Sequence, residues 1–206
     1  MAEHISGSKY VELAGDDHLF YVGDTQSILD EVEEFLTGIR HGPETDRALL
    51  TVMFTDIVGA TQHAERLGDD AWRRLLERHH AIVRTQLTRF RGREIDTAGD
   101  GFFATFDGPA RAVRCAEAIC GAVRTLGLEV RAGLHTGECE TAGAKVSGVA
   151  VHIAARVAAA DLPGQVLVSS TVKDLVAGSG LAFSNEGSHQ LKGLTEEWRL
   201  FALRPQ

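Results

Sequence analysis

The sequence predicts an α+β domain built on a largely antiparallel sheet with helices on one face. Three observations lead there. Between residues 47 and 205 the apolar spacing switches between a period of two and a period of three to four, in the order β-α-β-β-α-β and then α-β-α-β-β. Gly, Pro and Asp stand at the switches, where a turn or a helix start uses them. At 206 residues, 44% hydrophobic and 24% charged, the chain has room for one full domain of this kind and a fragment of another.

The first element is the apolar, β-branched run Leu49 to Phe54 in LLTVMFTDIVGAT, a buried strand that leaves Asp56 at its end and feeds a helix through a Gly/Ala/Thr turn. From Asp69 to Phe90, Trp72, Leu75, Leu76, Val83, Leu87 and Phe90 share one helix face, with Asp69 or Asp70 as N-cap. His79 and His80 on this helix read as core-edge or interface residues. REIDTAGDGFFATF reads as two strands around the turn Ala98-Gly99-Asp100-Gly101, which puts Asp100 at a hairpin tip. Pro109 opens a second amphipathic helix, whose inner face carries Val113, Ala116, Ile119, Cys120 and Val123, and Leu126-Gly127 closes it. LEVRAGLHTGE alternates as a strand and GVAVHIAARVAAA follows as a helix. QVLVSS is a short strand running into the helix TVKDLVA, and GSHQLKGLTEEWRLFAL is a closing hairpin. The order is that of a ferredoxin-like βαββαβ core with an αβαββ extension. Ahead of it, residues 1–38 read as a strand, a Gly-Asp-Asp-His turn and an acidic amphipathic helix, joined to the main domain by the polar linker IRHGPETD, residues 39–46.

A net charge of −8 argues against a protein that coats nucleic acid or anionic lipid. No stretch approaches the roughly 18 apolar residues of a membrane span, and MAEHISGSKY lacks the basic and apolar regions of a signal peptide. The expectation is therefore a cytoplasmic protein with neither a nucleic-acid nor a membrane partner. Cys115, Cys120 and Cys139 have no metal-ligand spacing and read as reduced thiols.

Chemistry concentrates on a few positions. Asp56 and Asp100 stand 44 residues apart, yet a strand end and a neighbouring hairpin turn can bring both carboxylates to one sheet edge. Two hard oxygen ligands suit Mg²⁺ held together with a polyphosphate, because Mg²⁺ takes few protein ligands and fills its shell with substrate oxygens. Either Asp alone is equally a helix cap or a turn residue. His152 and Arg156, four apart on one helix, share a face.

Taken together and in order, FTDIVGAT, TAGDGFFATF, VRAGLHTG and GVAVHIAARV resemble the catalytic domain of the class III nucleotidyl cyclases, the adenylate and guanylate cyclases, and most closely its bacterial branch. The resemblance implies that Asp56, Asp100 and the backbone of Ile57 hold two Mg²⁺ or Mn²⁺ ions. It implies that Val58, Gly59, Ala60 and Thr61 lead into a helix N-terminus that cradles phosphates, as helix-end N–H groups do. Arg156 would neutralise charge at the α-phosphate and His152, where the family more often has Asn, would position the ribose, since either side chain can donate a hydrogen bond. Arg131 and Lys192 match positions that contact the polyphosphate. The implied activity converts ATP or GTP to the 3′,5′-cyclic monophosphate and pyrophosphate, at a site shared by two subunits of a homodimer.

At the base-reading positions the family's adenylate cyclases usually carry Lys and Asp, and this chain has Asp96 and Lys145, the same pair with its signs exchanged. Guanine presents a donor at N1 and an acceptor at O6, so an Asp near N1 and a Lys near the C6 substituent match it, whereas the family background favours ATP. A structural salt bridge between the two residues, in a nucleotide-binding or dimerisation module of weak or absent turnover, is the alternative. Residues 1–38 resemble the C-terminal end of an α/β-hydrolase domain, with His18 at the position of the triad base. No GxSxG nucleophile elbow accompanies it.

Overall fold

The computed structural model describes residue 5 and residues 7–13, 25–38, 46–160 and 166–204. The chain divides into two compact units, Met1–Thr45 and Asp46–Gln206. His18 and its turn lie outside the described residues. In the first unit, helix α1 spans Thr25–Thr37, and the Lys9 ammonium donates to Glu31 at 3.0 Å and to Glu34 at 3.1 Å. The strand expected ahead of it is not formed over residues 8–13. A strand needs a hydrogen-bonded neighbour, and the described residues of this unit supply none.

The second unit runs β1 (Asp46–Ile57), α2 (Ala60–Leu67), α3 (Asp69–Arg89), β2 (Arg93–Ala98), β3 (Gly101–Phe106), α4 (Pro109–Val123), β4 (Val130–Ala142), β5 (Lys145–Ser147), α5 (Val149–Ala158), β6 (Val166–Ser169), α6 (Ser170–Leu175), β7 (Phe183–Gln190) and β8 (Glu197–Leu203). Its sheet has the order β2-β3-β1-β4-β6-β8-β7, with β5 paired to β4. Every pairing is antiparallel except β4 with β6. The four strands β2-β3-β1-β4 are the ferredoxin-like core, and β6, β8 and β7 extend the sheet beyond β4. Asp46, read from sequence as the last linker residue, is the first residue of β1. Among the described residues, no helix is long and apolar enough to cross a membrane.

Helices cover both faces of this sheet, not one. On one face Met53 and Ile57 pack with Val83 and Leu87 of α3, Ile119 and Val123 of α4, and Val172 of α6. On the other, Val52 packs with Cys139, Val146 and, from α5, Ala150 and Ala154. Val52 and Met53 are both fully buried; a strand apolar at successive positions has to be covered from both sides. Helix α5 sits close to β4 because Gly133 leaves room: a Cβ there would run into the backbone of Ala158. The expected N-caps Asp69 and Asp70 are instead in the first turn of α3, and Gly68 holds the cap position. Helix α2 ends directly against α3, and Gly68, with φ at +75°, makes a break that an Asp would make only with strain.

Candidate active site

Strand alternation decides which way the catalytic candidates face. On β1, Val52 and Phe54 look toward α5, so Asp56, two residues on, falls on the same side of the sheet. Arg131 of β4 lies directly opposite Asp56 in the register, and its Nη2 donates to Asp56 Oδ2 at 2.7 Å. Asp100 comes from the two-residue turn between β2 and β3. Its Oδ2 accepts the Ile57 backbone N–H at 2.8 Å, which ties the hairpin tip to the end of β1, and the Asp56 carboxyl stands close enough to perturb its titration. The structure thus joins the two carboxylates that the sequence separates by 44 positions.

Burial pushes the Asp100 carboxyl above the usual carboxylate range, the Asp56 carboxyl adds to the shift, and the Ile57 N–H opposes it. A carboxyl raised by burial beside a second carboxyl in this way fits a divalent cation, which relieves the repulsion between them. Among the described residues, no group of three or more His, Cys, Asp and Glu side chains converges, so a cation here would complete its shell with backbone or substrate oxygens. That is the donor set Mg²⁺ accepts.

The segment Ile57 to Thr61 turns immediately away from the carboxylates. Val58 N–H donates to the Glu129 carbonyl at 2.9 Å, Gly59 takes a left-handed conformation at φ +67°, and α2 starts at Ala60. The first N–H groups of α2 lack helical partners, as at any helix start, a donor arrangement of the kind that suits an anion.

His80 was not among the candidates taken from sequence. Its Nε2 lies 2.9 Å from the Gly99 carbonyl, where an Nε2–H donates and holds the turn that carries Asp100. Its edge meets the Phe102 ring at 5.1 Å between centroids. His79, one residue earlier, is fully buried and packs against the same Phe102. The sequence offered only the paired histidines as a signal, and helical periodicity alone does not say that α3 lies under the hairpin tip.

The remaining candidates are not gathered by the single chain. Asp96 on β2, Lys145 on β5, His152 and Arg156 on α5 and Lys192 in the turn after β7 are all exposed. Among the described residues, Asp96 accepts only the N–H of its neighbour Thr97, at 2.9 Å. It forms no ion pair with Lys145, so the salt bridge weighed from sequence is absent within the chain.

Residues 44–204 match the family described as the adenylate and guanylate cyclase catalytic domain. A putative adenylate cyclase 3 of Rhizobium meliloti (strain 1021) is 25% identical over 169 residues, covering 78% of this chain and 29% of that protein; the chain therefore spans under a third of that relative. Among solved structures, the adenylyl cyclase CyaB from P. aeruginosa superposes with a TM-score of 0.73 at 24% identity, over 79% of this chain and 97% of that one. An adenylate/guanylate cyclase/hydrolase from Silicibacter pomeroyi superposes with a TM-score of 0.70 at 25% identity, over 78% and 99%.

Proposed function

The chain belongs to the adenylate and guanylate cyclase catalytic domain family, and on that premise we propose that it is a nucleotidyl cyclase, converting ATP or GTP to the 3′,5′-cyclic monophosphate and pyrophosphate. The observation that carries this reading is the meeting of Asp56 and Asp100, locked by the Ile57 N–H and faced by Arg131.

Asp56, Asp100 and the backbone of Ile57 would hold two Mg²⁺ or Mn²⁺ ions, which when bound lower the pKa of the ribose 3′-hydroxyl and offset the charge of the triphosphate. The 3′-oxygen attacks the α-phosphorus in line, its proton leaves, and the bond to the bridging oxygen breaks to release pyrophosphate. Gly59, Ala60 and Thr61 present backbone N–H groups and the helix start to the phosphates, while the Val58 N–H is committed to the Glu129 carbonyl and fixes the turn ahead of them. Arg131, paired with Asp56, would exchange that carboxylate for polyphosphate oxygens, and Lys192 would add a second cation. Arg156 meets the charge that develops at the α-phosphate, and His152 donates to the ribose.

Asp96, Lys145, His152 and Arg156 stand exposed without an ion-pair partner among the described residues, which supports a site completed between two subunits. A homodimer then carries two equivalent sites. Asp96 and Lys145 would read the purine, and their donor and acceptor pattern favours guanine.

The test is a side-by-side assay of purified protein with Mn²⁺ and ATP or GTP, with the product identified. Cyclic product from either nucleotide is expected, and none from both refutes the reading. The exchanged signs at Asp96 and Lys145 favour one other reading, a nucleotide-binding or dimerisation module without turnover; tight nucleotide binding with no release of pyrophosphate identifies it.

A further inference from the structure

Behind the phosphate loop, α2 and α3 enclose a groove that the proposed reaction does not use. A cavity of about 420 Å³ is lined by His63, Arg66, Arg74 and Arg78 and otherwise by apolar side chains, among them Leu75 and Leu126. It shares His63 and Arg66 with an adjoining cavity of about 470 Å³ that reaches Val58, Gly59 and Glu129. In a chain of net charge −8, three arginines gather here, and no acidic side chain lines the first cavity.

Their surroundings leave them available. Arg74 and Arg78 form no ion pair among the described residues, although Arg73 beside them pairs with Asp70 at 2.9 Å. They stand four apart on α3, a like-charge spacing that weakens a helix unless a ligand uses it. Arg66 is aimed: its Nη2 donates to His63 Nδ1 at 3.0 Å, and the His63 ring stacks on Trp72, with centroids 6.2 Å apart and planes 7° from parallel. That bond requires His63 to be neutral at Nδ1, which leaves Nε2–H as a further donor.

We infer that this groove binds a pyrophosphate group, free or carried by a nucleoside diphosphate, with Arg66, Arg74 and Arg78 as its ligands. Guanidinium forks bind phosphate oxygens two at a time. The volume is that of a small-molecule site, and its apolar lining would receive the nucleoside where one is attached.

The experiment is calorimetric titration of inorganic pyrophosphate in EDTA, which removes divalent cations from the catalytic carboxylates. Wild type and Asp56→Ala are expected to bind alike, and Arg74→Ala/Arg78→Ala to bind at least ~10-fold more weakly, with circular dichroism confirming its fold. Affinity should fall steeply with salt. ADP titrated in parallel separates the two sources: tighter binding than pyrophosphate assigns the site to the nucleotide, and equal binding to the inorganic anion. Absence of millimolar binding to wild type, or binding unchanged in the double arginine variant, overturns the inference. The outcome is separate from turnover, since an inactive protein that binds pyrophosphate in the groove loses only the cyclase reading, and an active one that does not bind loses only this one.

Discussion

Asp100 is held under electrostatic strain by its own site, and the strain has a measurable sign. Its folded pKa lies above the usual value because of burial and the Asp56 carboxyl, so at neutral pH the ionised form opposes folding, and that cost is relieved as pH falls through the folded pKa. Asp100→Asn keeps an oxygen to accept the Ile57 N–H and removes the charge. It is expected to abolish cyclase turnover while thermal unfolding stays level or rises by ~1–4 °C; a destabilised variant would contradict the account. Two buried histidines, His79 and His135, give the opposite pH dependence. Burial lowers His79 to about 4, helped by the neighbouring His80, and lowers His135 to about 4 by burial alone. Both stay neutral in the fold and charge first in the unfolded chain. Stability is therefore unaffected by them above the ordinary pKa of about 6.5 and is lost as pH falls from there toward 4, by ~3 kcal/mol for each. A series of unfolding midpoints between pH 7 and 4 should fall in this window, and the slope should lessen in His79→Phe, a shape its Phe102 neighbour can accept. An unchanged slope would clear His79 of that role.

Among the elements, α5 is the one on whose position the proposed function depends most, since it carries both His152 and Arg156. Its seat on β4 exists because Gly133 has no side chain, and the added Cβ of Gly133→Ala meets the Ala158 backbone, which has no rotamer to change. Overpacking of this kind costs ~1–3 kcal/mol. The helix must also shift outward, so the expected result is a lower unfolding midpoint together with a loss of turnover larger than the loss of folded protein. Turnover that fell only in proportion to folded protein would mean that α5 is not an active-site element. The hairpin of β2 and β3 is the second such element, fixed from two sides: Ile57 N–H binds Asp100 and His80 binds the Gly99 carbonyl.

At the scale of the whole molecule, the question is whether one chain suffices. The carboxylates of Asp56 and Asp100 form one constellation with Arg131, and Arg156 and His152 stand apart from it, exposed on α5. If two copies complete a site, chains lacking different halves should complement each other. Mixing inactive Asp56→Ala with inactive Arg156→Ala is expected to restore up to about a quarter of wild-type activity, since heterodimers form half of a random mixture and carry one intact site of two. A mixture that stays inactive while native mass spectrometry shows exchanged subunits would place the whole site within one chain.

Most elements of the second unit, though not β5, and the candidate pair Asp56 and Asp100 were legible from residues alone because local physics sets them. An apolar run must be buried, a Gly-Asp tip must turn, and helix periodicity places Val83 and Leu87 or Ile119 and Val123 on inner faces. The membership shown by residues 44–204 could likewise be read from four short motifs. What the tertiary structure alone decided involves contacts between segments distant in the chain: the ion pair of Arg131 with Asp56, the grip of His80 on Gly99, and the placing of α5 on the sheet face opposite α3 and α4. No local pattern encodes these, because each depends on strand register and on which face of a sheet remains to be covered, and both are settled only when the whole sheet assembles.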